Sequence, residues 1–308
     1  MASLCKVLVV LVPLLVSIAF VTLAERKALG PIQGRVGPNL VGWLGLLQPL
    51  ADGLKLFSKE ALLPVHVNLY LFLLSPVLSL ALALVAWGVI PWGGVVLIDF
   101  SLGLLYLLAV SSVSVYAILM SGWASNSKYA FLGSIRAAAQ MISYEVSIGL
   151  ILFSVVLSAS SLDLIGIISS QRYVWFFFPL APIAAMFFIS ALAETNRVPF
   201  DLTEGESELV SGFNVEYSSM SFALFFLAEY ANIILMSAIS ILLFFGGNLL
   251  FGLKVCLLVF GFVWVRATLP RCRYDQLMAL LWKSYLPFSL AYFVLVLGLV
   301  LRLAEVQW

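Results

Sequence analysis

Six carboxylates crowd into residues 194–216, which read ETNRVPFDLTEGESELVSGFNVE. They are Glu194, Asp201, Glu204, Glu206, Glu208 and Glu216, set against one base, Arg197. They are six of the 15 acids in a chain of 308 residues that is 63% hydrophobic. Glu204, Glu206 and Glu208 alternate, so in an extended segment they line one side at a spacing of ~7 Å. At an effective dielectric of about 20, two carboxylates ~7 Å apart repel by about 2.4 kcal/mol. Two arrangements relieve that repulsion. The loop is fully hydrated, or several acids titrate together with raised pKa values and share protons. The first is a solvated surface and the second a proton relay; the position of the loop relative to a membrane decides between them.

Three more features bear on that choice. Glu145 follows Tyr144 early in an apolar segment, Glu194 closes another, and Glu229 precedes Tyr230 inside a third. Ionisable groups at such depth are costly and face a bundle interior or a wet cavity. A protonated Glu bonded to a neighbouring helix is the structural alternative for Glu145 and Glu229. Taken with the acidic loop, these residues outline a carboxylate path from one face to mid-membrane.

The elements that must position them are membrane helices. Only 10% of the residues are charged, and the mean hydropathy is +1.13. The uncharged runs 67–98, 102–127, 173–193 and 230–253 each exceed the ~20 residues a helix needs to span. Barrel strands would be about half as long and dyad-patterned. The expected architecture is therefore all-α and polytopic, one integral membrane domain over residues 1–308. Eight spans are predicted, near 2–23, 68–90, 102–123, 138–159, 173–193, 218–245, 248–265 and 284–301. The first is retained, because its apolar run is too long for a signal-peptide h-region. Within 43–63, Leu46, Leu47, Leu50, Leu54 and Phe57 recur at helical spacing between Asp52, Lys55 and Lys59. That pattern predicts an interfacial amphipathic helix, either a plain juxtamembrane element or a lip guiding a lipid-soluble ligand.

Eight spans place both termini on one side. The alternate loops, near 25–66, 124–137, 194–217 and 266–283, hold twelve of the 16 Lys and Arg residues, against Lys6, Arg172, Lys254 and Arg302 opposite. By the positive-inside rule those loops face inward and the termini outward. So much loop chemistry on one face suits a large peripheral partner docking there.

Cofactor chemistry within the chain is poorly supported. Cys5, Cys256 and Cys272 are scattered without a CxxC, so the chain cannot ligate an iron–sulfur cluster alone. The single histidine, His66, cannot supply two haem ligands. Neither GxGxxG nor GxxxxGK[ST] occurs, and no nucleic-acid partner is indicated. Any electrons must come from another subunit.

Six segments carry a resemblance: ERKALGPIQGRVGPN from Glu25, GLLQPLADGLKLFSKE from Gly45, RAAAQMISYEV from Arg136, AETNRVPFDLTEGESELVSGFNVEY from Ala193, FFLAEYANI from Phe225 and PRCRYDQLMALLWKSYLP from Pro270. Together they resemble the subunit 1 family of NADH:ubiquinone oxidoreductase, respiratory complex I, with its bacterial counterparts, over every inner loop and most spans. The resemblance implies a heel of the membrane arm, beneath peripheral subunits that carry FMN and iron–sulfur clusters. No redox cofactor would sit on this chain; ubiquinone is the substrate. It implies that Arg26, Arg35, Asp52 and Arg271 line or shape the quinone tunnel, with Phe226 and Tyr230 on its membrane side. Tyr144, Glu145, Glu194, Asp201, Glu204, Glu206, Glu208, Glu216 and Glu229 would form the proton path toward antiporter-like partners. The implied location is the mitochondrial inner membrane, in contact with lipid and with the termini on the intermembrane-space side. Alternatives are the anchor subunit of a related membrane-bound hydrogenase, a proton-coupled secondary transporter, although no internal repeat supports that, or an assembly scaffold.

Overall fold

Long uncharged runs leave the backbone no polar partner but itself, so they fold as helices. The computed structural model describes residues 2–92, 96–201, 212–247 and 250–306, with side chains for those lying between 6 and 302. Among the described residues the regular elements are all helical. They are α1 (Ala2–Ile32), α2 (Gln48–Ser58), α3 (Leu69–Ala86), α4 (Gly103–Ala124), α5 (Lys128–Ala159), α6 (Leu164–Ser170), α7 (Ala181–Glu194), α8 (Ser219–Phe244), α9 (Phe251–Thr268), α10 (Tyr274–Leu280) and α11 (Leu286–Val306).

Among the described residues, seven helices are long and apolar enough to cross a bilayer: α1, α3, α4, α5, α8, α9 and the stack of α10 with α11. The remaining expected span, the fifth at 173–193, differs. Its helix is α7, with 14 residues, about 21 Å long against the ~30 Å of a hydrocarbon core. Pro179 stops helix propagation, and Pro182 seeds the new first turn. The preceding aromatics are turns packed on the end of α8: the Phe177 N–H donates to Phe244 O at 2.9 Å, and its ring stacks on Phe245 with centroids 4.8 Å apart.

Other boundaries also move. The first helix runs to Ile32 through a stretch expected to be loop. α2 is shorter than the predicted amphipathic segment. α5 begins at Lys128, so most of the expected loop 124–137 is helix; its 32 residues extend about 48 Å and project beyond the membrane. The RCRYDQLM segment is partly helical as α10, and a π-turn over Leu281–Tyr285 joins it to α11.

α8 is the hub. It is buried along most of its length, and α1, α2, α3, α6, α7 and α9 pack on it. Contacts between loops sort the two ends. At one end Asn68 N–H reaches Ala124 O (3.1 Å), Cys272 N–H reaches Pro199 O (2.9 Å), and Ser219 Oγ reaches Lys59 O (2.7 Å). At the other, Gln171 Nε2 holds Leu242 O at 2.9 Å and Tyr292 Oη holds Pro179 O at 3.1 Å. Alternate loops thus meet alternate loops, and the basic ones gather at one end.

Where α4 meets α5 the helices touch through Gly122. A Cβ there would lie 2.3 Å from Ser134 Cβ and 2.8 Å from Ala130 O. Gly122→Ala is expected to destabilise the pair by about 1–3 kcal/mol through overpacking. A lowered thermal-inactivation midpoint of the purified complex would report it, and Ser134→Gly should recover part of the loss.

Candidate functional site

Three polar sites lie at the basic end, and α8 connects them. The first is a cavity of about 330 Å³ between α1, α2 and α8. Helical spacing sets its wall, because Phe222, Phe226 and Tyr230 follow one another every four residues on one face of α8. Their rings adjoin, with centroids 5.3 Å and 5.5 Å apart. Arg26 and Asp52 close the polar side: Arg26 Nη1 lies 2.6 Å from Asp52 Oδ2, and Gln48 Nε2 donates to Asp52 Oδ1 at 3.0 Å. Both charges are well solvated, 52% and 36% exposed, so the pair adds little stability. A mostly apolar cavity with a few convergent polar groups suits an amphiphile with a polar head and an apolar tail.

Behind Tyr230 is a buried ionic knot. Glu25, on α1, has a side chain only 7% exposed. Tyr230 Oη donates to its Oε2 at 2.5 Å, Arg197 Nη1 approaches Oε1 at 3.5 Å, and Arg266 Nη1 also bonds Oε1. The Arg197 guanidinium lies over the Tyr230 ring, 4.4 Å from its centroid, a cation–π contact in a desolvated setting. Burial opposes the Arg197 charge, but Tyr230, Glu25 and Glu229 outweigh it and raise its pKa above the ordinary value.

The third site holds carboxylates. Glu194, at the end of α7, lines two small cavities of about 60 and 40 Å³, and Glu229 joins it in the second, together with Asn232, Ser114 and Thr195. Ser111 Oγ donates to Glu145 Oε1 at 3.4 Å. Glu229 and Tyr230 are neighbours on α8, about 100° apart around its axis. Adjacent residues therefore open onto different cavities.

A model of the family described as NADH dehydrogenase matches residues 5–297. The chain belongs to the NADH dehydrogenase family. It is 64% identical over 311 residues to the NADH-ubiquinone oxidoreductase chain 1 of Metridium senile, covering 97% of this chain and 93% of that one. It is 56% identical to the protein of the same name from Chondrus crispus, covering 98% and 97%. It is also 56% identical to a NADH-quinone oxidoreductase subunit of Rhodospirillum centenum, covering 95% and 92%.

In this NADH dehydrogenase family member, Arg26, Asp52, Phe226 and Tyr230 come together on the one cavity. Arg35 does not line it; it is exposed near the end of α1, its N–H bonded to Gly30 O at 2.9 Å. Arg271 lies elsewhere too, with Nη2 3.3 Å from the buried Asp201 Oδ2. Glu145, Glu194 and Glu229 cluster as described, and Glu216 is half-buried before α8. Tyr144 is fully buried, with Phe200 and Tyr285 around its ring. Glu204, Glu206 and Glu208 lie outside the described residues. Near Glu216, burial pushes the Tyr217 hydroxyl up to about 12, although Ser75 Oγ bonds it at 2.9 Å and pulls the other way. Tyr217 is therefore a neutral phenol at physiological pH.

Sequence reasoning missed Glu25 and Arg266. The signal for Glu25 was available: it is the first ionisable residue after the uncharged run 7–24, a position where a charge at a helix face needs a partner. Its partners come from residues 172 and 241 positions away, a pairing that spacing cannot reveal.

Proposed function

We propose that this membrane subunit of NADH:quinone oxidoreductase walls the path by which ubiquinone reaches its reduction site, and that the aromatic cavity is part of that wall. The observation that carries the reading is the cavity itself. An apolar aromatic face opposes a solvated Arg26–Asp52 rim, the polarity order that a quinone headgroup with an isoprenoid tail requires. Electrons come from partner subunits that hold FMN and iron–sulfur clusters; this chain binds, orients and moves protons. The subunit lies in the mitochondrial inner membrane. Its basic loops face the matrix and dock the quinone-site peripheral subunits, its termini face the intermembrane space, and its flank meets antiporter-like subunits and lipid. Arg35 and Arg271 shape the outer approaches through the loops they occupy.

Reduction of ubiquinone to ubiquinol takes up a proton with each electron. That uptake, beside Tyr230, changes the electrostatic field at the neighbouring carboxylates. Glu194, Glu145 and Glu229 carry the change inward, with Tyr144, Asp201, Glu204, Glu206, Glu208 and Glu216 completing the path. Glu194→Gln removes the exchangeable proton while preserving size. Proton translocation in proteoliposomes is expected to fall by roughly tenfold or more, in line with the loss of a positioned proton carrier, with electron delivery to a water-soluble acceptor unchanged. Full pumping at normal turnover in Glu194→Gln, Glu204→Gln and Glu206→Gln would remove the carboxylate path from the account.

A further inference from the structure

Among the described residues, Arg197 packs against the wall of one half of this machinery and lies within the electrostatic reach of the other. On one side it stacks on Tyr230, whose ring lines the large cavity. On the other it feels the charge of Glu229, which lines the small cavity with Glu194. The knot holds two arginines and one carboxylate, Arg197, Arg266 and Glu25, and so carries a surplus positive charge. Its hydrogen bonding is incomplete. Arg197 Nη1 is 3.5 Å from Glu25 Oε1 at the long limit of a hydrogen bond, and Nε and Nη2 are buried with no acceptor among the described residues. Buried donors left unpaired are costly, so this guanidinium has something to gain from a second carboxylate. Arg266, by contrast, is more exposed, with a side chain 37% accessible, and holds Glu25 whether or not Arg197 stays.

We infer that Arg197 is a positioning residue that links the two cavities by changing partners, from Glu25 beside the large cavity to the Glu229 side, as charge in the large cavity changes. The inference rests on the reading of that cavity as a quinone site. Negative charge arriving on a bound quinone draws the guanidinium toward Tyr230 and Glu25. Its loss on protonation frees the guanidinium to pair with the carboxylates at the small cavity, whose proton affinity then drops and which release a proton onward. The moving part is a single side chain with two discrete arrangements, the physical requirement for coupling between sites. No bond is made or broken apart from proton transfers.

The test uses the whole complex in proteoliposomes. Arg197→Lys keeps the charge but replaces the planar fork with a point charge that cannot serve both sides. Protons translocated per electron are expected to fall to about half or less, while a photoreactive ubiquinone analogue still labels the large cavity. A reductase rate that falls with an unchanged proton-to-electron ratio would mean a structural role only and would overturn the inference. Should Arg197→Lys fail to assemble, the wild-type complex decides. Structures with oxidised and with reduced quinone bound are expected to differ in the Arg197 partner, and a guanidinium fixed on Glu25 in both would overturn it. Loss of labelling in the wild type would instead sink the quinone reading.

Discussion

Glu25→Ala is expected to remove most of the assembled complex. The substitution strands the Arg197 and Arg266 guanidiniums beside an apolar stretch of α1 and takes the acceptor from Tyr230 Oη. Breaking a buried pair by deleting one partner costs about 3–5 kcal/mol. Glu25 is buried, so solvent screening does little to soften that loss, although Arg266 recovers some hydration because it is partly exposed. Glu25→Gln retains an acceptor for Tyr230 and should lose less. The measurement is the yield of intact complex on native gels together with its half-life at elevated temperature. Pairing Glu25→Met with Arg266→Leu should restore part of the yield, since the two sites share a contact and their effects do not add. Wild-type assembly of Glu25→Ala would show that the knot is not structural.

Ala223→Trp is expected to be the mirror image, a folded complex that cannot use quinone. Ala223 lines the large cavity beside Phe222 and Phe226. An indole placed there occupies space that is otherwise open, so the overpacking penalty of a filled core does not arise. Ubiquinone reduction should fall by about tenfold or more, each tenfold corresponding to about 1.4 kcal/mol. NADH oxidation by a water-soluble acceptor should be unchanged, because that reaction does not use the quinone cavity. Short-tailed quinones should be affected less than long-tailed ones if the tail occupies this region. Equal rates with all quinones would place the substrate elsewhere.

The fold class was legible because hydrophobic run length alone separates membrane helices from other solutions, and the alternate-loop pairing followed from the basic residues. Helix ends were less legible. α1 continues through Gly30 to Ile32, and α5 starts at Lys128, because packing against neighbours holds polar or glycine-containing turns that local composition would assign to loop. The shortened α7 shows the converse, where Pro179 and Pro182 break a run whose hydropathy reads as continuous. At the candidate site, Arg26, Asp52, Phe226 and Tyr230 were all named only through family resemblance, although helical period puts Phe226 and Tyr230 on one face. Glu25 was passed over because its role depends on Arg197 and Arg266, which reach it from distant loops. Long-range ion pairs leave no periodic trace in a single sequence.

The assignment of the large cavity is tested most directly by photo-crosslinking a photoreactive ubiquinone analogue in native membranes, followed by peptide mapping and competition with excess ubiquinone. The expected result is label on residues 25–60 and 222–230 that disappears on competition. Reproducible absence of label there, in a complex that still reduces quinone, would contradict the account and leave this chain as an anchor and proton path, with the quinone tunnel formed by its partners.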